Sequence, residues 1–229
     1  ELIFDLTRDL KLMHSIGKYE RLLEGKTLGL LFEWPSTRTR LGFEVAMAQL
    51  GGQSIYLPIE TTMASMGEPM KDTSRVLSKL VDAIAVRPRK HETVTTLAEY
   101  AEVPVINCSS PKGHPTQVLG DLYTILEKKR KLKGLKLAYV GMTRGIFHSL
   151  LLGCTKVGMN ITAAYPDVGG PAYTADEEVV RRAHEIAERT GSEIVLTHSL
   201  LEAVEGADIV YACILLRSSL TGERTIEEG

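Results

Sequence analysis

The chain has 229 residues, 44% of them hydrophobic, which is enough to bury a core and excludes a chain disordered throughout. Formal net charge is −2, with both signs spread along the sequence, so no electrostatic argument favours nucleic acid or a membrane surface as the main partner. The three cysteines, Cys108, Cys154 and Cys213, form neither a Cys-x-x-Cys pair nor a disulfide framework, which fits a reducing cytoplasm.

The first residues, Glu1 to Leu12, carry charges throughout and do not read as a signal peptide; with no initiator Met, the N-terminus is expected to be trimmed or to lack its first residues here. No apolar run reaches the length of a membrane span. Short apolar runs then predict strands at 27–32, 53–57, 83–87, 103–107, 135–140, 160–165, 193–197 and 208–212. Helical spacing separates them, as in Val118, Leu119, Leu122, Ile125 and Leu126, or Val179, Val180, Ala183, Ile186 and Ala187. Repeated strand–helix–strand order predicts an α/β fold of doubly wound parallel sheets with helices on both faces. The basic, apolar-poor stretch Lys128–Gly134 suggests a boundary, giving domains at 1–130 and 131–229. The second domain holds only the last four strands before Gly229 and is expected to be incomplete. Gly169-Gly170-Pro171 is the clearest loop signal.

Three constellations carry chemistry. Ser36-Thr37-Arg38-Thr39-Arg40 follows a strand and opens a helix, with Leu41, Val45 and Ala48 on one helical face. Hydroxyls and guanidinium groups at a helix N-terminus, where backbone N–H groups lack partners, suit a phosphate. The plain alternative, a Ser/Thr cap beside two solvated arginines, does not require that run of residues. His114-Pro115-Thr116-Gln117 opens a second helix, with Pro at its first position. Arg87 closes a buried strand and is expected at the same carboxyl edge, where α/β folds bind ligands. Alone, His114 would read as a capping residue and Arg87 as a solvent-edge residue.

Together with Phe43-Glu44, Gln49-Leu50-Gly51-Gly52, Glu68, Asp72-Thr73, Asp82, Asp121 and Thr124, these motifs resemble the ornithine and aspartate carbamoyltransferase family, ornithine enzymes most of all. The resemblance is specific from Gly25 to Gly158 and general from Asn160 to Tyr211. It implies a carbamoyltransferase whose partners are carbamoyl phosphate and a small amine, first ornithine, with no metal or other cofactor. Ser36, Thr37, Arg38 and Thr39 would hold the phosphate; Thr39, Arg87 and His114 would face the carbonyl oxygen; Gln117 would accept from the carbamoyl NH2. The resemblance also implies a cytoplasmic homo-oligomer, a trimer or a multiple of trimers.

The second-substrate side departs from the family. Ornithine enzymes show Gly-Asp-Gly-Asn-Asn before His-Ser-Leu; here Gly141-Met142-Thr143-Arg144-Gly145 precedes Ile146-Phe147-His148-Ser149-Leu150. Arg144 can pair with a carboxylate, or be a solvated loop arginine. The Met66 loop lacks the lysine of aspartate enzymes, whereas Thr116 replaces the cysteine common in ornithine enzymes and also fits putrescine enzymes. Ala212-Cys213-Ile214-Leu215-Leu216-Arg217 stands where the family has Asp-x-Trp-x-x-Met-Gly. The alternatives are therefore a putrescine, aspartate or acylated-ornithine enzyme, or a non-catalytic carbamoyl-phosphate-binding relative. A dehydrogenase would need Gly-x-Gly-x-x-Gly after a strand, and only Gly141 and Gly145 are present.

Overall fold

The computed structural model describes residues 2–165 and 174–213. The chain divides into two compact units, residues 1–117 and 118–229. Composition alone puts the division after residue 130; the contacts place it in the first turn of a helix, Pro115–Lys129.

The first unit begins with helix α1 (Leu2–Ser15) and continues through β1 (Thr27–Phe32), α2 (Thr37–Gln49), β2 (Gln53–Pro58), α3 (Met70–Leu80), β3 (Ala83–Arg87), α4 (His91–Tyr100) and β4 (Val105–Asn107). Two short 3-10 turns, Ile59–Thr61 and Met63–Met66, fill the connection between β2 and α3. The four strands are parallel in the order β2-β1-β3-β4. Alternation along β1 explains the layering. Leu28, Leu30 and Phe32 face a cluster with Met47 and Phe43 of α2, whereas Leu31 faces Leu77 of α3 and Leu97 and Val94 of α4. The sheet is thus covered on both faces, as continuous apolar strands require. Leu30, Leu31 and Phe32 are essentially solvent-free; burial of each is worth about 1.5–3 kcal/mol.

Helix α2 buries Met47, while Leu41 and Val45 remain half-exposed, so the apolar face read from the sequence is not the face on the sheet. At its C-terminus Gly51 turns left-handed (φ +84°) and Gly52 lies against backbone: a Cβ there would stand 2.9 Å from the Leu23 carbonyl and 3.0 Å from the Lys26 carbonyl. A left-handed turn at Gly51 and close backbone approach at Gly52 explain the Gly-Gly pair.

The second unit contains most of α5 (Pro115–Lys129), then β5 (Lys136–Val140), α6 (Gly145–Lys156), β6 (Asn160–Ala164), α7 (Glu177–Thr190), β7 (Ile194–Thr197), α8 (Leu200–Val204) and β8 (Ile209–Ala212). Its sheet is also parallel, in the order β7-β6-β5-β8. Helix α7 shows how sequence sets its limits. The Asp176 carboxylate accepts from the Glu178 and Val179 amides at 3.1 and 3.2 Å, and Gly191 closes the helix at φ 77°. Ala183, Ile186 and Ala187 are its buried stripe. The loop signal Gly169-Gly170-Pro171 lies outside the described residues. Among those residues no helix is long and apolar enough to cross a membrane.

Candidate functional site

In the first sheet the chain leaves β1 for β2 on one side and later returns to add β3 and β4 on the other. The order therefore reverses between β1 and β3, and loops diverge from their carboxyl ends there, leaving a crevice. Phe32 pairs with Arg87 and Val86 with Asn107, so three adjacent strands end almost level. From β1 the chain runs through Glu33 to Ser36 into α2, and from β4 it runs through residues 108–114 into α5. The structure thus brings the Ser36–Thr39 run, Arg87 and the His114–Gln117 turn to one edge.

Ser36 is the residue before α2 and is extended (φ −157°, ψ 106°), yet its side chain makes no capping hydrogen bond. The first helical bond is the Arg40 amide to the Ser36 carbonyl at 3.2 Å, which leaves the Thr37, Arg38 and Thr39 amides without intrahelical partners. The two arginines of the motif differ. Arg40 donates to Glu44 at 2.9 Å and stacks over Tyr56 at 3.8 Å, so it is committed to the scaffold. Arg38 is exposed and makes no hydrogen bond or ion pair with the described residues.

Arg87 is half-buried. One terminal nitrogen reaches the Cys108 carbonyl at 3.5 Å, and its Nε, though buried, has no hydrogen-bond partner among the described residues. Burial lowers its pKa, Cys108 opposes that, and the nearby Arg38 guanidinium lowers it again. A buried donor left unsatisfied is costly, and a bound ligand is one arrangement that would satisfy it. His114 lies close enough to Arg87 to feel its charge. Burial first, and Arg87 second, push its imidazole down to about 4, so it is neutral at pH 7. Its Nδ1 lies 3.3 Å from the Thr116 hydroxyl. Gln117 is in the first turn of α5 and exposed. The arrangement sets the Arg38 and Arg87 cations and a neutral imidazole near one another at this edge, which suits an anion.

Sequence reasoning missed the residues that shape the last loop. Ser109 sits at φ 152°, a conformation side chains rarely adopt. Asn107 accepts from the Ser109 amide at 3.1 Å and donates to the Ser110 hydroxyl at 3.2 Å. His91, at the start of α4, meets the Ser110 hydroxyl at 2.8 Å. The turn signal Ser110-Pro111-Lys112-Gly113 is visible in the sequence; its ties to positions distant in the chain are not.

The second unit has its own reversal, between β5 and β8. The loop after β5 starts at Gly141 (φ 147°), where a Cβ would lie 2.8 Å from the Cys213 Cβ. Tyr139 donates to the Met142 carbonyl at 2.5 Å and stacks on Tyr211, whose hydroxyl donates to Asp121 at 3.1 Å. Burial raises the pKa of both tyrosines, so both stay protonated. Arg144 is the residue before α6; it is exposed and forms no hydrogen bond or ion pair with the described residues. Among those residues no three His, Cys, Asp or Glu side chains are placed to hold a metal ion.

Residues 1–127 match the family described as aspartate/ornithine carbamoyltransferase, carbamoyl-P binding domain, and residues 133–224 match its Asp/Orn binding domain. An ornithine carbamoyltransferase of Pyrococcus abyssi is 46% identical over 209 residues, which are 91% of this chain and 65% of that protein. One of Gloeobacter violaceus is 48% identical over 204 residues, covering 88% of this chain and 64% of the relative. The chain therefore spans just under two thirds of the length of these relatives. Among solved structures, ornithine carbamoyltransferase from Pyrococcus furiosus superposes with a TM-score of 0.90 at 43% identity, covering 98% of this chain and 70% of that one. Aspartate transcarbamoylase from Trypanosoma cruzi, in complex with carbamoyl phosphate and aspartate, gives 0.82 at 26% identity, covering 91% and 66%. With two parallel α/β units, a donor-lined edge on the first, and both family domains matched in order, this chain belongs to the aspartate/ornithine carbamoyltransferase family.

Proposed function

We propose that the protein transfers the carbamoyl group of carbamoyl phosphate to the side-chain amine of ornithine, giving citrulline and phosphate. The observation that carries this reading is the unsatisfied Arg87 Nε beside a neutral His114 and an uncommitted Arg38. Ser36, Thr37, Arg38 and Thr39 hold the phosphate. The side chains of Thr39, Arg87 and His114 surround the carbonyl oxygen, and Gln117 accepts from the carbamoyl NH2. The neutral amine attacks the carbonyl carbon, a C–N bond forms, and negative charge gathers on the oxygen. Donors already fixed there lower the barrier because they need not reorganise as charge develops. The carbon–oxygen bond to phosphate then breaks, and the departing phosphate takes the proton released by the amine. A neutral His114 serves this better than a charged one. It donates an N–H without adding a third cation to the Arg38–Arg87 pair, so the site is not overbound to free phosphate.

Residues 1–130 act as the carbamoyl-phosphate domain and 131–229 contribute to binding the amine. Arg144, uncommitted at the start of α6, favours an amine that also bears a carboxylate, which ornithine has and putrescine lacks. The same residue supports aspartate as the second reading. We read the active protein as a cytoplasmic homo-oligomer, a trimer or a multiple of trimers. Exposed Leu41 and Val45, one turn apart on α2, support an oligomer, since a contiguous apolar face is often an interaction surface. Incubation of the intact protein with carbamoyl phosphate and ornithine, putrescine, aspartate or acetylated ornithine tests the reading by ureido product. Citrulline alone is expected; binding of carbamoyl phosphate with no product from any amine would overturn transfer in favour of a binding relative.

A further inference from the structure

One side chain spans the loop that joins β4 to α5. Asn107 Oδ1 accepts from the Ser109 amide at 3.1 Å, while its Nδ2 donates to the Ser110 hydroxyl at 3.2 Å and to the Gly113 carbonyl at 3.4 Å. The amide orientation is set by its partners, because the Ser109 amide can only donate and the Gly113 carbonyl can only accept. Ser110 and Gly113 close the loop with two backbone bonds of their own, 2.7 and 3.2 Å. His91 Nδ1 meets the buried Ser110 hydroxyl at 2.8 Å and so anchors the loop to the start of α4.

The two ends of this loop matter. At its start, the Cys108 amide donates to the Val86 carbonyl at 2.8 Å and the Cys108 carbonyl accepts from Arg87. At its end, Gly113 is followed directly by His114. The loop therefore sets the spacing between the two groups assigned to the carbonyl oxygen. Ser109 would relax from φ 152° if its amide were released, and the path from Cys108 to His114 would change length. We propose that Asn107, acting with Ser110 and His91, is a positioning residue that fixes His114 relative to Arg87. This rests on the carbamoyl-transfer reading for its consequence in turnover, but not for its geometry. Asparagine is required because no other side chain of this length offers one acceptor and two donors. Aspartate could hold the Ser109 amide but could not donate to Gly113.

The test uses Asn107→Ala, Asn107→Asp, Ser110→Ala and Ser110→Thr in the intact protein, with three readouts. Misplacement of a reacting group by about 1 Å costs on the order of a hundredfold in rate, so kcat should fall by that order in Asn107→Ala and by less in Asn107→Asp and Ser110→Ala. Ser110→Thr keeps the hydroxyl and should restore most of the rate. Affinity for inorganic phosphate, assigned to the start of α2, should not change. The imidazole titration of His114, followed by NMR and assigned with His114→Gln, should move in Asn107→Ala from about 4 toward the ordinary 6.5 as the ring leaves its buried place and its distance from Arg87 grows. An unmoved His114 midpoint overturns the proposal, and so does loss of phosphate affinity in step with kcat, which would mark a fold defect. If the unaltered protein transfers carbamoyl to no amine, the functional reading falls, and the His114 titration still decides the positioning role.

Discussion

The two sheets are clasped alike at one edge and differ at the other. Just before β3, Asp82 exchanges bonds with Thr27 at the start of β1: its carboxylate accepts the Thr27 amide at 2.8 Å and its amide donates to the Thr27 carbonyl at 2.8 Å. Just before β8, Asp208 makes the same pair with Lys136 at the start of β5, both at 2.9 Å. In each sheet an aspartate docks the strand that enters across the reversal point, so both scaffolds open a crevice in the same place. The carboxyl edges then diverge. The first gathers Ser36, Arg38, Arg87 and His114; the second packs Gly141 against Cys213 and stacks Tyr139 on Tyr211. Topology says where a ligand goes, and only side chains say which one.

The strongest way to break the contrast is Arg87→Gln. It removes the half-buried cation of the first edge while keeping a polar side chain. Loss of a single donor to a developing oxyanion costs about 10²–10³-fold in kcat, and the change should lower kcat far more than it weakens phosphate binding. Steady-state rates against carbamoyl phosphate, with a separate phosphate titration, measure the split. If kcat held, the carbonyl oxygen would have to lie elsewhere.

The central strands β1, β3, β5 and β6 are legible because each is a short apolar run buried on both faces, and such runs end where polar loops begin. The Ser36–Arg40 motif is legible because hydroxyls and arginines rarely cluster at a helix start without an anion. Three things are not. Helix α1 carries Ile3, Leu6, Leu10 and Met13 at helical spacing yet buries no residue, so an apolar stripe there marks no core face. The division of Arg38 from Arg40 depends on Glu44 and Tyr56, and only the second of these is far off in sequence. The bracing of Ser110 by His91 joins residues 19 positions apart through two side chains, and no periodicity encodes that. Local pattern reveals elements; the pairings that tune a site come from which elements become neighbours.

A second prediction addresses the other edge. Gly141→Ala forces a Cβ to 2.8 Å from the Cys213 Cβ at a backbone φ of 147°. Strain of this kind costs about 1–3 kcal/mol, read as a lowered Tm. Cys213→Gly, by removing the Cβ it meets, should recover part of the loss. A Tm unchanged by Gly141→Ala would mean that β5 and β8 can separate there without penalty. The equivalent change at the first edge, Ser36→Ala, should leave Tm nearly unchanged, because that hydroxyl caps nothing.

A third effect is in pH. Free His114 would titrate near 6.5, but burial and Arg87 hold it to about 4 in the fold. Between those values the unfolded chain binds a proton that the folded chain does not, so stability is complete above 6.5 and declines as pH falls toward 4. His114→Gln should flatten that part of the stability–pH curve, measured by urea denaturation at a series of pH values. Saturating phosphate, by placing negative charge beside the ring, should raise the folded value toward 6.5 and so shrink the decline, whose upper edge stays at the unfolded value.

The smallest effect concerns the feature the two sheets share. Asp82 is exposed, yet its carboxylate is held below the ordinary 3.8, first by the hydrogen bond from Lys26 and then by the Thr27 amide. A carboxylate stabilised in this way contributes above 3.8, and the contribution is lost as pH falls through the lowered folded value. Asp82→Asn should therefore cost little, because an exposed ion pair is screened and the amide oxygen can still accept from Thr27. What should change is the salt response: the unaltered protein loses a small increment with added salt, and Asp82→Asn does not. Denaturation at low and high ionic strength separates the two. An equal salt response in both would mean that the backbone exchange between Asp82 and Thr27 docks β3 unaided, and that the carboxylate only decorates a junction the strand pairing already makes.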